Sequence, residues 1–428
     1  DGCHSIAIAF MAEGEVAART LARAELGAFT PQELRRSSVL VTCLALLNNA
    51  PFCVVLAAAQ HLLSSVLGFK GLSPIITLGC VAAALVGSAG NAWLIAAGTT
   101  LERRMDLVCV LNGASSVALT TATLLSPIPG LVATIVGVIA IGLGQAVGET
   151  SLVADLRFLA PALGMWGLGT GLAGLVGPLL YVALAALGAP DTLVFAATLA
   201  VPLAFRHVYG QLHTLVRAAA GTQLVGEDDD GHTLASEAAD AQDGVGEVLM
   251  QPTLARVLWH IGFLAANLVA VYSLEYEIYP GLVDVATRST PNPSSALQRH
   301  AYPLAWACYN VGVTVSRLSV NFVRIRQVGL LSAAQALNFA LWFCEARAHW
   351  LRNMGDDGYA LMLLWMVWVG CMGGASYSNC CYRINHDEGI PKDVRNVGIP
   401  VAFGLVNVGI MIATATGLYL NCTILRDE

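Results

Sequence analysis

Three ionisable side chains stand inside apolar runs of this sequence, and each could do chemistry there. Glu149 follows Gln145 in GLGQAVGET (142–150), Glu275 lies in LVAVYSLEYEIYPGL with Tyr272 before it and Tyr276 after it, and Arg317 lies in NVGVTVSRLSV. An ionisable group within apolar surroundings is expensive, so it faces a bundle interior or a water-filled cavity and finds a partner there. A carboxyl group in that setting is a candidate proton carrier. A guanidinium needs an acid, carbonyls or an anionic ligand, and its planar fork matches carboxylate or phosphate through two parallel hydrogen bonds. By position in their runs, Glu149 and Arg317 fall toward one membrane face and Glu275 toward the other. The spacing therefore predicts a Glu149–Arg317 gate on one side and a Glu275 sensor on the opposite side, near the interface.

Polar side chains without charge fill out the candidate path. Asn48, Asn49 and Pro51 interrupt LLNNAPFCVVLAAAQHLL (46–63). The proline frees a backbone carbonyl one turn back, which the paired amides either satisfy or leave to a cavity. Tyr377 and Asn379 close the glycine-rich GCMGGASYSN (370–379). Between these segments, GLGTGLAGLVG places Gly167 four residues from Gly171, and Gly169 four from Ala173 and eight from Gly177, with Gly174 between. One helix face is then nearly bare, and a neighbouring backbone can approach it closely, as helices do in lipid.

The elements that must position these residues follow from composition. The chain is 56% apolar and 12% charged, and apolar stretches of 20 or more residues recur, so this is an all-α polytopic membrane protein. The formal charge of −7 is concentrated in one loop that holds Glu227, Asp228, Asp229, Asp230, Glu237, Asp240, Asp243 and Glu247. Outside that loop the chain is near neutral, which supports neither nucleic-acid binding nor a polybasic membrane-surface role. Most cysteines lie inside apolar runs and read as small core residues. No cofactor is expected.

Eleven spans are predicted, near 38–63, 72–98, 106–125, 128–150, 162–187, 190–208, 254–280, 300–322, 327–349, 358–381 and 396–421. Each suffices for a hydrocarbon core about 30 Å thick. Residues 1–37 form an N-terminal cytoplasmic arm whose Thr30-Pro31-Gln32-Glu33 starts the first helix. Residues 38–208 make a first bundle of six spans, 209–252 an acidic, disordered cytoplasmic linker, and 253–428 a second bundle of five. With the N-terminus cytoplasmic, that face collects most of the Lys and Arg residues and the C-terminal tail lies on the other face. Tyr209-Gly210-Gln211-Leu212 has the form of a tyrosine-based sorting signal, a possible contact for sorting adaptors. The fourth span of each half ends in a glycine-rich polar segment (142–150 and 370–379), the pattern by which inverted or parallel repeats mark a transporter's binding site.

The same segments resemble the battenin family: LLNNAPFCVVLAAAQHLL, GLGQAVGETSL (142–152), GLGTGLAGLVGPLLY (167–181), SLEY (273–276), VTVSRLS (313–319) and GGASYSN (373–379), in that order. The resemblance implies a lysosomal or vacuolar multi-pass protein with a major-facilitator-like fold of two bundles, distantly similar to equilibrative nucleoside transporters. Its members are linked to efflux of glycerophosphodiesters, to vacuolar basic amino acid transport and to organelle pH. The expected partners are a small polar solute, protons and the lipid bilayer. Two other classes stay open: a trafficking scaffold without direct transport, and an intramembrane enzyme, for which no HExxH motif or phosphate loop appears.

Overall fold

The computed structural model describes residues 30–156, 162–226, 252–288, 295–319 and 322–426. Thr30 caps the first helix as its sequence predicts. Its hydroxyl accepts from the Glu33 amide at 3.3 Å and the Glu33 carboxylate accepts from the Thr30 amide at 2.8 Å. The first half comprises α1 (Pro31–Gln60), α2 (Pro74–Ala96), α3 (Leu101–Ala122), α4 (Pro127–Leu156), α5 (Ala162–Ala186), α6 (Asp191–Ala197) and α7 (Ala200–Gly226). The second half comprises α8 (Leu254–Tyr276), α9 (Val283–Ala286), α10 (Ala296–Arg299), α11 (Ala301–Ser319), α12 (Val328–Ala348), α13 (Asp356–His386) and α14 (Lys392–Cys422).

Among the described residues, 10 helices are long and apolar enough to cross a membrane. The predicted span that is not among them is the eighth, α11, which is less apolar because it carries Asn310, Thr314, Ser316 and Arg317 within the bundle. The seventh span does not run straight. Helical geometry breaks at Tyr279 (φ −123°, ψ 122°) and resumes in α9.

One boundary differs from the sequence reading. Residues 209–226 are not linker but the end of α7, where Tyr209, Leu212 and Leu215 are buried beside Leu34 and Leu40 of α1. Their spacing of three puts them on one apolar face, and packing of that face extends the helix beyond the span. Tyr209 and Leu212, the two anchor side chains of the expected sorting signal, are thus buried in this face. Residues 1–29 of the arm and 227–251 of the linker lie outside the described residues.

The bare face of α5 divides between two neighbours. A Cβ on Gly169 would collide with the Thr42 carbonyl of α1, and one on Gly177 would come within 2.7 Å of Cys53. Gly171 and Gly174 instead receive Thr314 and Asn310 of α11, while Gly167 has nothing close to it. Glycine here allows α5 to pack against its own half and across to the other. A second crossing pairs α2 with α14.

The apolar cores are distributed unequally along the membrane normal. At the end holding the C-terminal part of α1, one core joins both halves, with Phe52, Val55 and Leu62 against Tyr279, Tyr302 and Trp306. At the end where α1 begins, the halves have separate cores. Leu44, Met105, Val147 and Phe205 pack in the first, and Ile261, Leu268, Ile384 and Val394 in the second. The halves thus share an apolar core at one mouth, the closed one, and keep separate cores at the other, the parted one.

Candidate functional site

Arg317 lies where the halves part. Its guanidinium stacks 4.2 Å from the centroid of the Tyr377 ring, and its Nη2 reaches the Tyr272 hydroxyl at 3.5 Å. Its Nε is buried with no hydrogen-bond partner. The Ser378 hydroxyl donates to the Arg317 carbonyl at 3.2 Å, which fastens this turn of α11 to α13. A cation stacked on an aromatic face and lined by phenols keeps its charge while leaving an N–H edge for an anion.

Glu149 faces Arg317 from the first half. Its side chain is exposed, it stands beside the Trp166 indole, and it lies within electrostatic reach of both Arg317 and Tyr377. No ion pair within 4.0 Å joins Glu149 and Arg317 among the described residues. With the mouth parted, the expected gate residues confront each other without closing.

Glu275 departs from the interfacial placement predicted for it. It is 2% exposed inside the second half, between α8, α11 and α13, and within electrostatic reach of Arg317. The Tyr309 hydroxyl donates to its Oε2 at 2.8 Å, while Oε1 has no hydrogen-bond partner. The carboxyl group fits because Gly373 has no side chain. A Cβ there would overlap Oε1 and lie 2.6 Å from Cδ. The regular helix Leu254–Tyr276 carries Glu275 on the face packed against α11 and α13, and the break comes only afterwards, at Tyr279.

The remaining polar residues do not converge on this cluster. Asn48 donates to the Gln145 carbonyl at 3.0 Å, Asn49 donates to the Ala45 carbonyl at 2.9 Å, and the Gln145 amide donates to Asn49. This knot ties α1 to α4 and depends on Gly148, whose Cβ would collide with Asn48. It sits one helical turn from Glu149. Asn379 accepts from the Ile325 amide at 2.6 Å and donates to the Ala375 carbonyl, so it pins the turn after α11. Tyr276 packs beside the second half's apolar core. Of the residues predicted for the path, the structure therefore gathers Glu149, Glu275, Arg317 and Tyr377. It assigns Asn48, Asn49 and Gln145 to an interhelical knot and Asn379 to a turn.

Sequence reasoning missed Tyr309 and Trp166. Tyr309 precedes Arg317 by eight residues, about two helical turns, and that spacing could have placed both on one face. Trp166 opens the glycine-rich helix and carries no spacing signal of its own. Among the described residues no group of three His, Cys, Asp or Glu side chains could hold a metal ion.

The order of spans, the parted mouth and the crossings of α5 with α11 and α2 with α14 invite comparison with known proteins. A profile of the family described as CLN3 protein matches residues 39–426. The chain belongs to that family. Battenin of Dictyostelium discoideum is 28% identical over 414 residues, covering 89% of this chain and 93% of that protein. Battenin of Canis lupus familiaris is 28% identical over 259 residues, 58% of this chain and 56% of its own length. Protein btn1 of Aspergillus fumigatus is 28% identical over 66% of each chain. Solved structures share the fold at low identity. A D-xylose-proton symporter superposes with a TM-score of 0.55 at 11% identity, covering 90% of this chain and 89% of its own. A bacterial homologue of the human lysosomal transporter Spinster, inward-facing and occupied, gives 0.54 at 14% identity, covering 93% of this chain and 85% of its own. The CLN3-family chain is thus a multi-pass membrane protein of the two-bundle, major-facilitator type.

Proposed function

We propose that this protein is a transporter of the lysosomal or vacuolar membrane that moves a small polar solute by alternating access and contributes to organelle pH homeostasis. The solute belongs to the glycerophosphodiester or basic amino acid class. The observation that carries this reading is Arg317, a cation stacked on Tyr377 with a free Nε–H edge, opposite an exposed Glu149 across the parted mouth. An anionic group on the solute meets the guanidinium, and an ammonium or hydroxyl group meets the Glu149 carboxylate. When the mouth closes, the two side chains approach each other and act as its gate. Glu275 sits behind Arg317 and takes or releases a proton as the local charge changes.

The N-terminus is cytoplasmic in this reading, so the parted mouth opens to the cytoplasm and the closed one to the lumen. Relatives named battenin and btn1 support the family's organellar setting. The test is reconstitution in liposomes with labelled glycerophosphodiesters and basic amino acids in parallel. Flux of one class that is lost in Arg317→Ala, with insertion unchanged, is expected. No flux of either class overturns the proposal.

A further inference from the structure

The closed mouth is held in register by a small set of neutral hydrogen bonds from α1 to the broken part of the seventh span. The Tyr279 hydroxyl donates to the Leu56 carbonyl at 3.3 Å. The Gln60 amide donates to the Asp284 carbonyl at 2.7 Å and lies 3.4 Å from the Thr287 hydroxyl. All first-half partners lie on one turn of α1, and all second-half partners lie between the break at Tyr279 and Thr287, which caps the end of α9. The break is what makes this possible, because Tyr279 has extended backbone angles and its side chain leaves the helix toward α1. Its ring remains stacked on its own half, 4.8 Å from Tyr302 and 4.9 Å from Trp306.

We infer that Tyr279 and Gln60 form the latch of this mouth. The inference rests on the alternating-access reading above. Apolar contacts along the seam are non-directional and tolerate sliding, whereas hydrogen bonds have preferred lengths and angles. The latch bonds therefore fix one register. Because their second-half partners move with the aromatic stack, all of them release together when the halves part here. Water replaces each at little net cost.

Cys53 reports on the opening without any added label. It is buried on α1 against Trp306 of the other half, one turn from Leu56 on the side away from the mouth. The full-length protein in liposomes is treated with a membrane-impermeant maleimide from the face opposite the start of α1, and the Cys53 peptide is followed by mass spectrometry. Tyr279→Phe, which keeps the ring stack, and Gln60→Leu should each speed Cys53 labelling about fivefold, the equivalent of one neutral hydrogen bond lost. Cys380, fully buried in the second half's own core, should stay protected in both variants. Unchanged Cys53 rates in both variants overturn the latch, and so does labelling of Cys380 in step with Cys53, which signals unfolding. Flux that persists with unchanged Cys53 rates removes the latch alone. Absence of flux in the parent protein removes the transport reading, and the labelling comparison still decides the latch.

Discussion

Replacing Gly373 by alanine tests whether Glu275 is seated by that glycine. The added Cβ would overlap Glu275 Oε1 and lie 2.6 Å from Cδ, so the carboxyl group must withdraw by about 2 Å to reach ordinary contact. Withdrawal breaks the 2.8 Å hydrogen bond from Tyr309. Overpacking a tight core costs about 1–3 kcal/mol, and losing a hydrogen bond to a charged group about 1.5–3 kcal/mol. A loss of about 2.5–6 kcal/mol follows, less the small gain from alanine's better helix propensity. In a Glu275→Ala background the obstructing carboxyl group is gone, and Gly373→Ala should be neutral or slightly stabilising. The assay is a double-mutant cycle read by unfolding of the purified protein in detergent, with flux measured on the same preparations. Equal costs in the two backgrounds, or a Gly373→Ala protein as stable as the parent, would refute the reasoning.

Arg317→Lys should abolish flux while leaving expression and insertion intact, because a lysine keeps the charge but loses the planar stack on Tyr377 and the forked N–H edge; parental flux in this variant counts against the anion site. Glu275→Gln should flatten the dependence of flux on the pH of the compartment at the closed mouth, and an unaltered pH profile would make Glu275 structural. Asn421 fits the Asn-x-Thr acceptor pattern but is 2% exposed and donates to the Gly281 carbonyl at 3.2 Å, so it should carry no glycan. A glycosidase-sensitive mass shift abolished by Asn421→Gln would disprove that.

Composition and apolar run length made the spans legible, since lipid leaves helices few alternatives once a run is long enough. The Thr30 cap and the close-packing role of Gly169 and Gly177 could be read for the same local reason. The start of the linker could not be read, because the fate of residues 209–226 depends on what their apolar face meets, and α1 supplies that face from far away in sequence. The site was legible in part. Arg317 and Glu149 stood out as charges within apolar runs, and their opposition across the mouth agrees with their similar depth. The burial of Glu275 was not legible, because it depends on Gly373 and Tyr309, which approach from two other helices far away in sequence. The paired asparagines could serve the backbone or a cavity by sequence, and Gly148 and Gln145, nearly a hundred positions away, turn them into a knot. A sequence reveals which groups need partners more readily than which partners they take.

In the proposed alternating-access cycle, the unequal cores would make the two halves of the motion draw on different forces. Parting the closed mouth exposes apolar surface such as Phe52, Val55 and Trp306, a cost that weakens on cooling because apolar burial is entropic near room temperature. Closing the parted mouth brings Glu149 toward Arg317, a gain that added salt screens on the length scale of the water between them. In that cycle one mouth would be thermosensitive and the other halosensitive, so cold would ease the parting of the closed mouth and added salt would hinder the closing of the parted one.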